Sequence, residues 1–208
     1  MQDLQKWERI YAKARGDGIS SLFLAFKKGE NGELDYTKGA MKHKALLEKA
    51  VAEGKNALIL GKTGTGKSFL AFEVAFGFKS RLNGDLRIYY NRASVLVGDF
   101  NGNFKNISKT LDDIFAKESY YYNEPRQPVQ LVIIDEIDDL HGGNEWQIIN
   151  EVICTAYDNM TPLVLLGNLD TQMLKNELSA KALSRLLQKT IFINASGKDL
   201  RTNEGGAK

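Results

Sequence analysis

The sequence of 208 residues contains one cysteine, three prolines and two histidines. Because Cys154 has no partner cysteine, no disulfide can form within the chain, and this favours a reducing compartment. The two histidines, His43 and His141, lie far apart in polar stretches and suggest no metal site. No apolar run approaches the length of a membrane span, and the first residues lack a signal-peptide pattern. We therefore expect a cytoplasmic protein with no membrane contact.

Net charge is also small, at +2. An acidic excess lies between residues 56 and 170, and basic excesses lie on either side of it. This distribution is compatible with nucleic-acid binding at the ends but is weak evidence for it. Hydrophobic residues make up 43% and charged residues 26%, which is ordinary for a soluble globular protein.

One glycine-rich stretch organises the rest of the chain. It reads Gly-Lys-Thr-Gly-Thr-Gly-Lys-Ser and matches G-x-x-x-x-G-K-[ST], the phosphate-binding P-loop. In such a loop, backbone N–H groups surround the phosphates, Lys67 reaches the β- and γ-phosphates, and Ser68 is a ligand for Mg²⁺. The expected ATP-binding residues are Gly61, Lys62, Thr63, Gly64, Thr65, Gly66, Lys67, Ser68 and Phe69.

The context supports this interpretation over a glycine turn that binds nothing. An apolar strand, residues 56–60, leads into the loop, and a helix over residues 68–82 leaves it. That helix is apolar nearly all round, as expected for a helix packed on a sheet. Strand, loop and helix are the order in which a P-loop occurs.

A second landmark lies about seventy residues further along, where the apolar run 131–134 ends in Asp135 and Glu136. Four apolar residues suit a parallel strand that is buried on both faces. Asp135 is placed to hold Mg²⁺ through its waters, and Glu136 to polarise a water for attack on the γ-phosphate. We interpret Asp138 and Asp139 as solvated residues at the start of a helix rather than ligands.

The remaining pattern alternates helices and strands. Helices are expected over residues 37–53, 93–99, 107–115, 146–156 and 174–187, and strands over 86–90, 163–168 and 191–193. Residues 119–130 are expected to form a loop, because they contain Pro125 and Pro128. This order predicts an α/β fold, a three-layer P-loop NTPase sandwich with a five-stranded parallel sheet.

With these motifs in order, the sequence resembles the AAA+ ATPases of the bacterial helicase-loader group, the DnaC-like and IstB-like proteins. The resemblance covers residues 38–201 and rests on GKTGTGKSFLA, LVIIDEID, LLGNLD and ALSRLL. It implies that Asn168 is the sensor-1 residue, which contacts the γ-phosphate and the attacking water. It also implies that Arg185 is an arginine finger for a neighbouring subunit, so that the chain self-associates through the Arg185 face.

The resemblance also places a single-stranded DNA site on the helices inserted at residues 93–117. Candidates there are Arg92, Phe104, Lys105 and Lys109, although a solvated helix face would look the same. Residues 1–37 are either a partner-docking segment or an extension packed on the core. Residues 202–208 read as a flexible tail. No separate lid domain is expected after the last strand, so classical sensor-2 arginine chemistry is not expected, although Arg201 could serve in part.

Three functions remain open. The first is a weak ATPase, stimulated by assembly or DNA, that loads or remodels a replicative helicase on DNA. The second is a nucleotide-dependent DNA-binding assembly factor for a transposase. The third, a small-molecule phosphotransferase, is disfavoured because no arginine cluster follows the last motif.

Overall fold

The computed structural model describes residues 37–81, 87–100, 107, 111, 114–115, 119–121, 124–126 and 129–197. The strands in the described ranges are β1 Asn56–Leu60, β2 Arg87–Arg92, β3 Ser119–Tyr121, β4 Glu124–Arg126, β5 Val129–Asp135, β6 Leu163–Gly167 and β7 Thr190–Asn194. The α-helices whose bounds lie in those ranges are α1 Lys44–Ala52, α2 Lys67–Arg81, α3 Ala93–Asp99, α4 Gly143–Asp158, α5 Thr171–Glu177 and α6 Ala180–Leu187. Short 3₁₀ helices cover Gly39–His43 and Ile137–Asp139.

Five of the strands form one parallel sheet in the order β2-β5-β6-β1-β7. All four strand pairs in this sheet are parallel, so the carboxyl ends of the strands share one edge, the C-terminal edge. The opposite edge is called the N-terminal edge below. The predicted five-stranded parallel α/β sheet is therefore confirmed.

Both faces of the sheet are buried, because strand residues alternate between two cores. Leu58, Val132 and Leu165 face the core that also contains α3 to α6. Ile59, Ile133 and Leu166 face the other core, with α1 and α2. Ile107, Leu111, Ile114 and Phe115 are helical and buried in the first core, as their i, i+4, i+7, i+8 spacing predicts. The layers therefore run helix, sheet, helix.

Two expectations about local structure are wrong. Residues 119–130 are not a loop, because β3 and β4 pair as an antiparallel ribbon and β5 begins at Val129. Tyrosine favours strands, and Pro125 is tolerated in so short a ladder, opposite Tyr120.

The helix expected over residues 174–187 is two helices. Leu178 is extended between them, and the Ser179 hydroxyl accepts a hydrogen bond from Ala182 N, which starts α6. Another side chain, that of Asp170, starts α5 by accepting from Met173 N. Residues 1–36 and 198–208 lie outside the described residues, as do Phe104, Lys105, Lys109 and Arg201.

None of the helices in the described ranges has both the length and the apolarity that a bilayer crossing requires.

Candidate functional site at the C-terminal edge of the sheet

The glycine-rich loop joins β1 to α2 at the C-terminal edge. Gly64 and Gly66 have positive φ angles of 79° and 87°, which glycine adopts without a Cβ penalty. Thr65 is fully buried, and its hydroxyl donates to the carbonyl of Lys62 at 2.8 Å. The carbonyl of Thr65 in turn accepts from Ala40 N. The loop is thus fixed by its own chain in a conformation suited to an anion.

Lys67 is the first residue of α2, and its side chain folds back over the loop. Its Nζ donates to the carbonyls of Gly61 and Lys62 at 2.6 and 2.9 Å. An ammonium group in this position already lies inside the phosphate-binding loop. Of the other predicted loop residues, Lys62 and Thr63 are exposed, and Phe69 packs against the core beneath α2.

Asp135 ends β5 and faces Ser68 across the gap between β5 and the start of α2. The Ser68 hydroxyl donates to Asp135 Oδ2 at 2.5 Å, and the Tyr90 hydroxyl donates to the same oxygen at 3.3 Å. Asp135 Oδ1 accepts from Glu136 N at 2.9 Å. The buried carboxylate is therefore oriented by three donors, one of them from the neighbouring strand β2.

Glu136 has a left-handed backbone, with φ 56° and ψ 45°. Such a conformation is uncommon outside glycine, and at the end of a strand it redirects the side chain. Glu136 Oε2 lies 3.2 Å from Nε of Arg92, at the end of β2. Partial burial raises the pKa of Glu136, Arg92 opposes that rise, and Asp135, Asp139 and Asp138 add to it. Arg92, predicted as a DNA contact, thus pairs with the candidate catalytic base.

Asn168 follows β6, the strand between β5 and β1. Its position brings it to the same edge as Glu136 and the loop, because Gly61 N donates to the carbonyl of Gly167 at 3.2 Å. Its backbone N–H donates to Asp138 Oδ1 at 2.7 Å. Asp138 was expected to be merely solvated; it is instead half-buried and joined to the end of another strand.

Arg185 does not join this group. It lies on α6, where its guanidinium donates to Asp158 Oδ2 at 3.0 Å and lies 5.1 Å from the ring centroid of Tyr157. Asp158 is the last residue of α4, which runs from the C-terminal edge back to the N-terminal edge before β6 begins. The charge of Arg185 is therefore at the far end of the sheet from its own P-loop.

Two residues of the site were missed by the sequence analysis, Tyr90 and Asp138. Tyr90 was predicted only to lie in the strand over residues 86–90, although that strand pairs with the one that ends in Asp135. Asp138 was discounted because acidic residues commonly begin helices. The sequence signal for each was its place beside a strand end, where polar groups of parallel strands converge.

The group suits Mg²⁺ with a nucleotide. Magnesium prefers oxygen ligands and is usually bound by one or two protein groups together with waters and phosphates. The Ser68 hydroxyl and the Asp135 carboxylate are such a pair, adjacent to the loop. Within the described ranges, no cluster of three or more histidine, cysteine or acidic side chains forms a metal site of another kind.

Among solved structures, DnaI has a TM-score of 0.60 and 15% identity, covering 78% of this chain and 88% of DnaI. The DnaC helicase loader has a TM-score of 0.57 and 15% identity, covering 76% and 88%. AMPPCP-bound DnaA from Aquifex aeolicus has a TM-score of 0.58 and 20% identity, covering 80% and 49%. The chain shares its α/β fold, with a five-stranded parallel sheet flanked by helices, with these structures.

These identities are low, so the likeness establishes the fold alone. The chain spans about half the length of the Aquifex aeolicus DnaA structure and of a DNA replication initiation factor, covering 49% and 48% of them. No protein-family model matches the sequence, and no curated protein matches it significantly.

Proposed function

We propose that this protein binds and hydrolyses ATP and acts in the initiation of DNA replication, where it loads or remodels a replicative helicase on DNA. The observation that carries the proposal is the convergence of Lys67, Ser68, Asp135 and Glu136 at the C-terminal edge of the sheet. These are the groups that a P-loop ATPase needs, and they come from the end of one strand, β5, and the N-terminus of one helix, α2.

Each residue has a distinct task in this mechanism. The loop N–H groups and Lys67 bind the phosphates, and Lys67 exchanges the carbonyls of Gly61 and Lys62 for phosphate oxygens. Ser68 and Asp135 would hold Mg²⁺, which would neutralise charge on the bound phosphates. Glu136 orients and deprotonates the attacking water, and Asn168 contacts that water from the end of β6.

Hydrolysis by an isolated subunit is expected to be slow. Arg185 lies at the opposite edge from its own loop, joined to Asp158 and Tyr157. A neighbouring subunit in an assembly would present its Arg185 to this subunit's γ-phosphate, after that arginine leaves Asp158. Assembly, or DNA that promotes assembly, should therefore raise the rate per subunit.

The fold likeness favours a helicase partner. The matches to DnaI and to the DnaC helicase loader cover most of this chain and most of each of those proteins. The match to DnaA covers only 49% of the DnaA chain. Single-stranded DNA is proposed as the second partner, at Arg92 and the inserted residues 93–117. Phosphate contacts there would make DNA affinity fall steeply as salt is raised.

Glu136→Gln tests the enzymatic part of the proposal. The amide keeps the size of the side chain but cannot accept a proton, so ATP should still bind while turnover is lost. The measurements are nucleotide affinity by fluorescence titration and phosphate release. Wild-type turnover in Glu136→Gln would contradict the assignment of the base.

A pull-down with the replicative helicase, with and without ATP, tests the cellular part. Nucleotide-dependent capture of the helicase supports loading or remodelling. Capture of a transposase in place of the helicase would replace the proposal with the transposition factor.

Fluorescence anisotropy with labelled single-stranded DNA at increasing salt tests the DNA contact. If no DNA binds when nucleotide is present, the protein would act only on another protein.

A further inference from the structure

The 3₁₀ turn Ile137–Asp139 and the end of β6 fit together without space between them. A Cβ on Gly167 would lie 2.6 Å from Ile137 Cγ1 and 3.2 Å from Asp138 Oδ1. The first distance is too short for any side chain, so only glycine fits at residue 167 without movement of Ile137. Ile137 is fully buried, which leaves the turn little room to yield.

Asp138 joins the same two elements by a hydrogen bond. Its Oδ1 accepts from Asn168 N at 2.7 Å, across 30 residues of sequence. The ladder from β6 to β1 ends at Gly167, and the ladder to β5 ends at Leu165, so the Asn168 amide lies beyond both. The Asp138 carboxylate therefore supplies an acceptor where the sheet supplies none.

Glu136 directly precedes the turn that carries Asp138. Its backbone is left-handed, and its carbonyl accepts from Asp139 N at 3.1 Å. Glu136 and Asn168 come from different strands, yet they are linked through one short turn and one side-chain hydrogen bond. A change in that bond would alter their relative position without touching the P-loop.

We infer that Asp138 is a positioning residue for ATP hydrolysis, which sets Asn168 relative to Glu136 at the attacking water. The inference rests on the proposed function of the site. In this role Asp138 acts through its hydrogen bond to the Asn168 backbone. It does not contact the P-loop or the side chain of Glu136. Its loss should therefore lower kcat and leave KM nearly unchanged.

Asp138→Ala removes the acceptor and should lower kcat by about 10- to 100-fold, the size of effect expected when reacting groups shift by a fraction of an ångström to one ångström. Asp138→Asn retains an oxygen that can accept the Asn168 N–H and should recover most of the lost rate. Asp139→Ala is the matched control, because Asp139 is exposed in the same turn and also carries a negative charge near Glu136.

Hydrogen exchange of the Asn168 amide provides a readout independent of activity. It should be faster in Asp138→Ala than in the wild type and slow again in Asp138→Asn. The inference is overturned if Asp139→Ala loses as much rate as Asp138→Ala, if Asp138→Asn recovers nothing, or if Asn168 exchange does not change.

The two proposals fail in different ways. If the wild type neither binds nor hydrolyses ATP, the proposed function fails, whereas the exchange experiment still reports on the hydrogen bond. If the wild type hydrolyses ATP and Asp138→Ala does so at the same kcat, only the positioning role fails. Nucleotide affinity measured on each variant shows whether the P-loop remains folded.

Discussion

The two edges of the sheet differ in how their charged groups are arranged. At the C-terminal edge, Lys67 and Ser68 contact groups of the phosphate and metal site itself, the loop carbonyls and Asp135. At the N-terminal edge, Arg185 contacts Asp158 and the ring of Tyr157 and reaches no part of that site. Under the proposed function, the first edge binds the nucleotide within one subunit. Under the proposed function, the second edge supplies a cation to a neighbouring subunit.

This difference predicts that nucleotide binding and ATP turnover can be changed independently, by substitutions at different residues. The groups proposed to bind the nucleotide lie together at one edge of the sheet, whereas a group proposed to accelerate hydrolysis lies at the opposite edge. Loss of a phosphate-binding group such as Lys67 should therefore weaken nucleotide binding, whereas loss of Arg185 should spare binding and reduce turnover.

The largest expected effect comes from Lys67→Ala. Its Nζ is the side-chain cation inside the loop, and each charge-assisted hydrogen bond to phosphate contributes about 1.5–3 kcal/mol. ATP affinity should fall at least about 100-fold, as measured by fluorescence titration. Lys62→Ala is the matched control, because the Lys62 side chain is exposed and its carbonyl remains; it should lose much less affinity. Equal losses in the two variants would argue against a specific role for Lys67.

Arg185→Ala probes the other edge and should leave ATP affinity nearly unchanged. Turnover should fall steeply, because an arginine supplied in trans is worth about 10³–10⁵ in rate. The decisive measurement is a mixture, in which Lys67→Ala supplies the arginine and Arg185→Ala supplies an intact pocket. Phosphate release should recover to a level that neither variant reaches alone.

Thermal unfolding of Arg185→Ala is the necessary control, since the variant also loses its contacts to Asp158 and Tyr157. That pair is largely at the surface, and surface pairs contribute little to stability. A mixture that stays inactive while the wild type assembles would show that the two edges do not meet between subunits. Loss of ATP affinity in Arg185→Ala would do the same.

The smallest effect is expected from Tyr90→Phe. Its hydroxyl donates to Asp135 Oδ2 at 3.3 Å, and phenylalanine keeps the edge-to-face contact with Phe72 at 4.7 Å. Loss of one hydrogen bond, worth about 0.5–1.5 kcal/mol, should weaken Mg²⁺-dependent ATP binding about two- to tenfold. Binding in EDTA should not change.

Tyr89→Phe is the control for Tyr90→Phe, because the Tyr89 hydroxyl bonds to the side chain of Asn91 and not to Asp135. A titration of Mg²⁺ at fixed nucleotide separates the two variants. If both behave like the wild type, Asp135 is oriented sufficiently by Ser68 and the Glu136 amide.

The sequence predicted the sheet well because its strands are buried on both faces. The run from Leu131 to Ile134 contains no polar residue, so neither face of that strand suits a position exposed to solvent. The break between α5 and α6 was missed because Leu178 is apolar and fits helical spacing. Ser179 is compatible with a helix interior as well as a cap, and only its contact with Ala182 N decides between them.

The site was predictable where chemistry depends on neighbours in sequence, and less so where it depends on contacts across strands. Gly64, Gly66 and Lys67 belong to one continuous motif. The hydrogen bond from Tyr90 to Asp135 and that from Asn168 to Asp138 require strand order and register. The pairing of Arg92 with Glu136 is likewise a consequence of β2 lying beside β5, which periodicity alone does not reveal.

The close packing of the backbone around Gly61 would allow a bound nucleotide to affect the stability of two other segments of the chain. A Cβ on Gly61 would lie 2.3 Å from the carbonyl oxygen of Ala195, and one on Gly197 would lie 3.5 Å from Gly39 Cα. The segments that enter and leave the described body thus meet at the phosphate loop, where Ala40 N also bonds to Thr65. A nucleotide that binds to this loop would stabilise the attachment of both segments to it. Probes at Thr37 and Ser196 should therefore show less local unfolding of the two segments when nucleotide is bound.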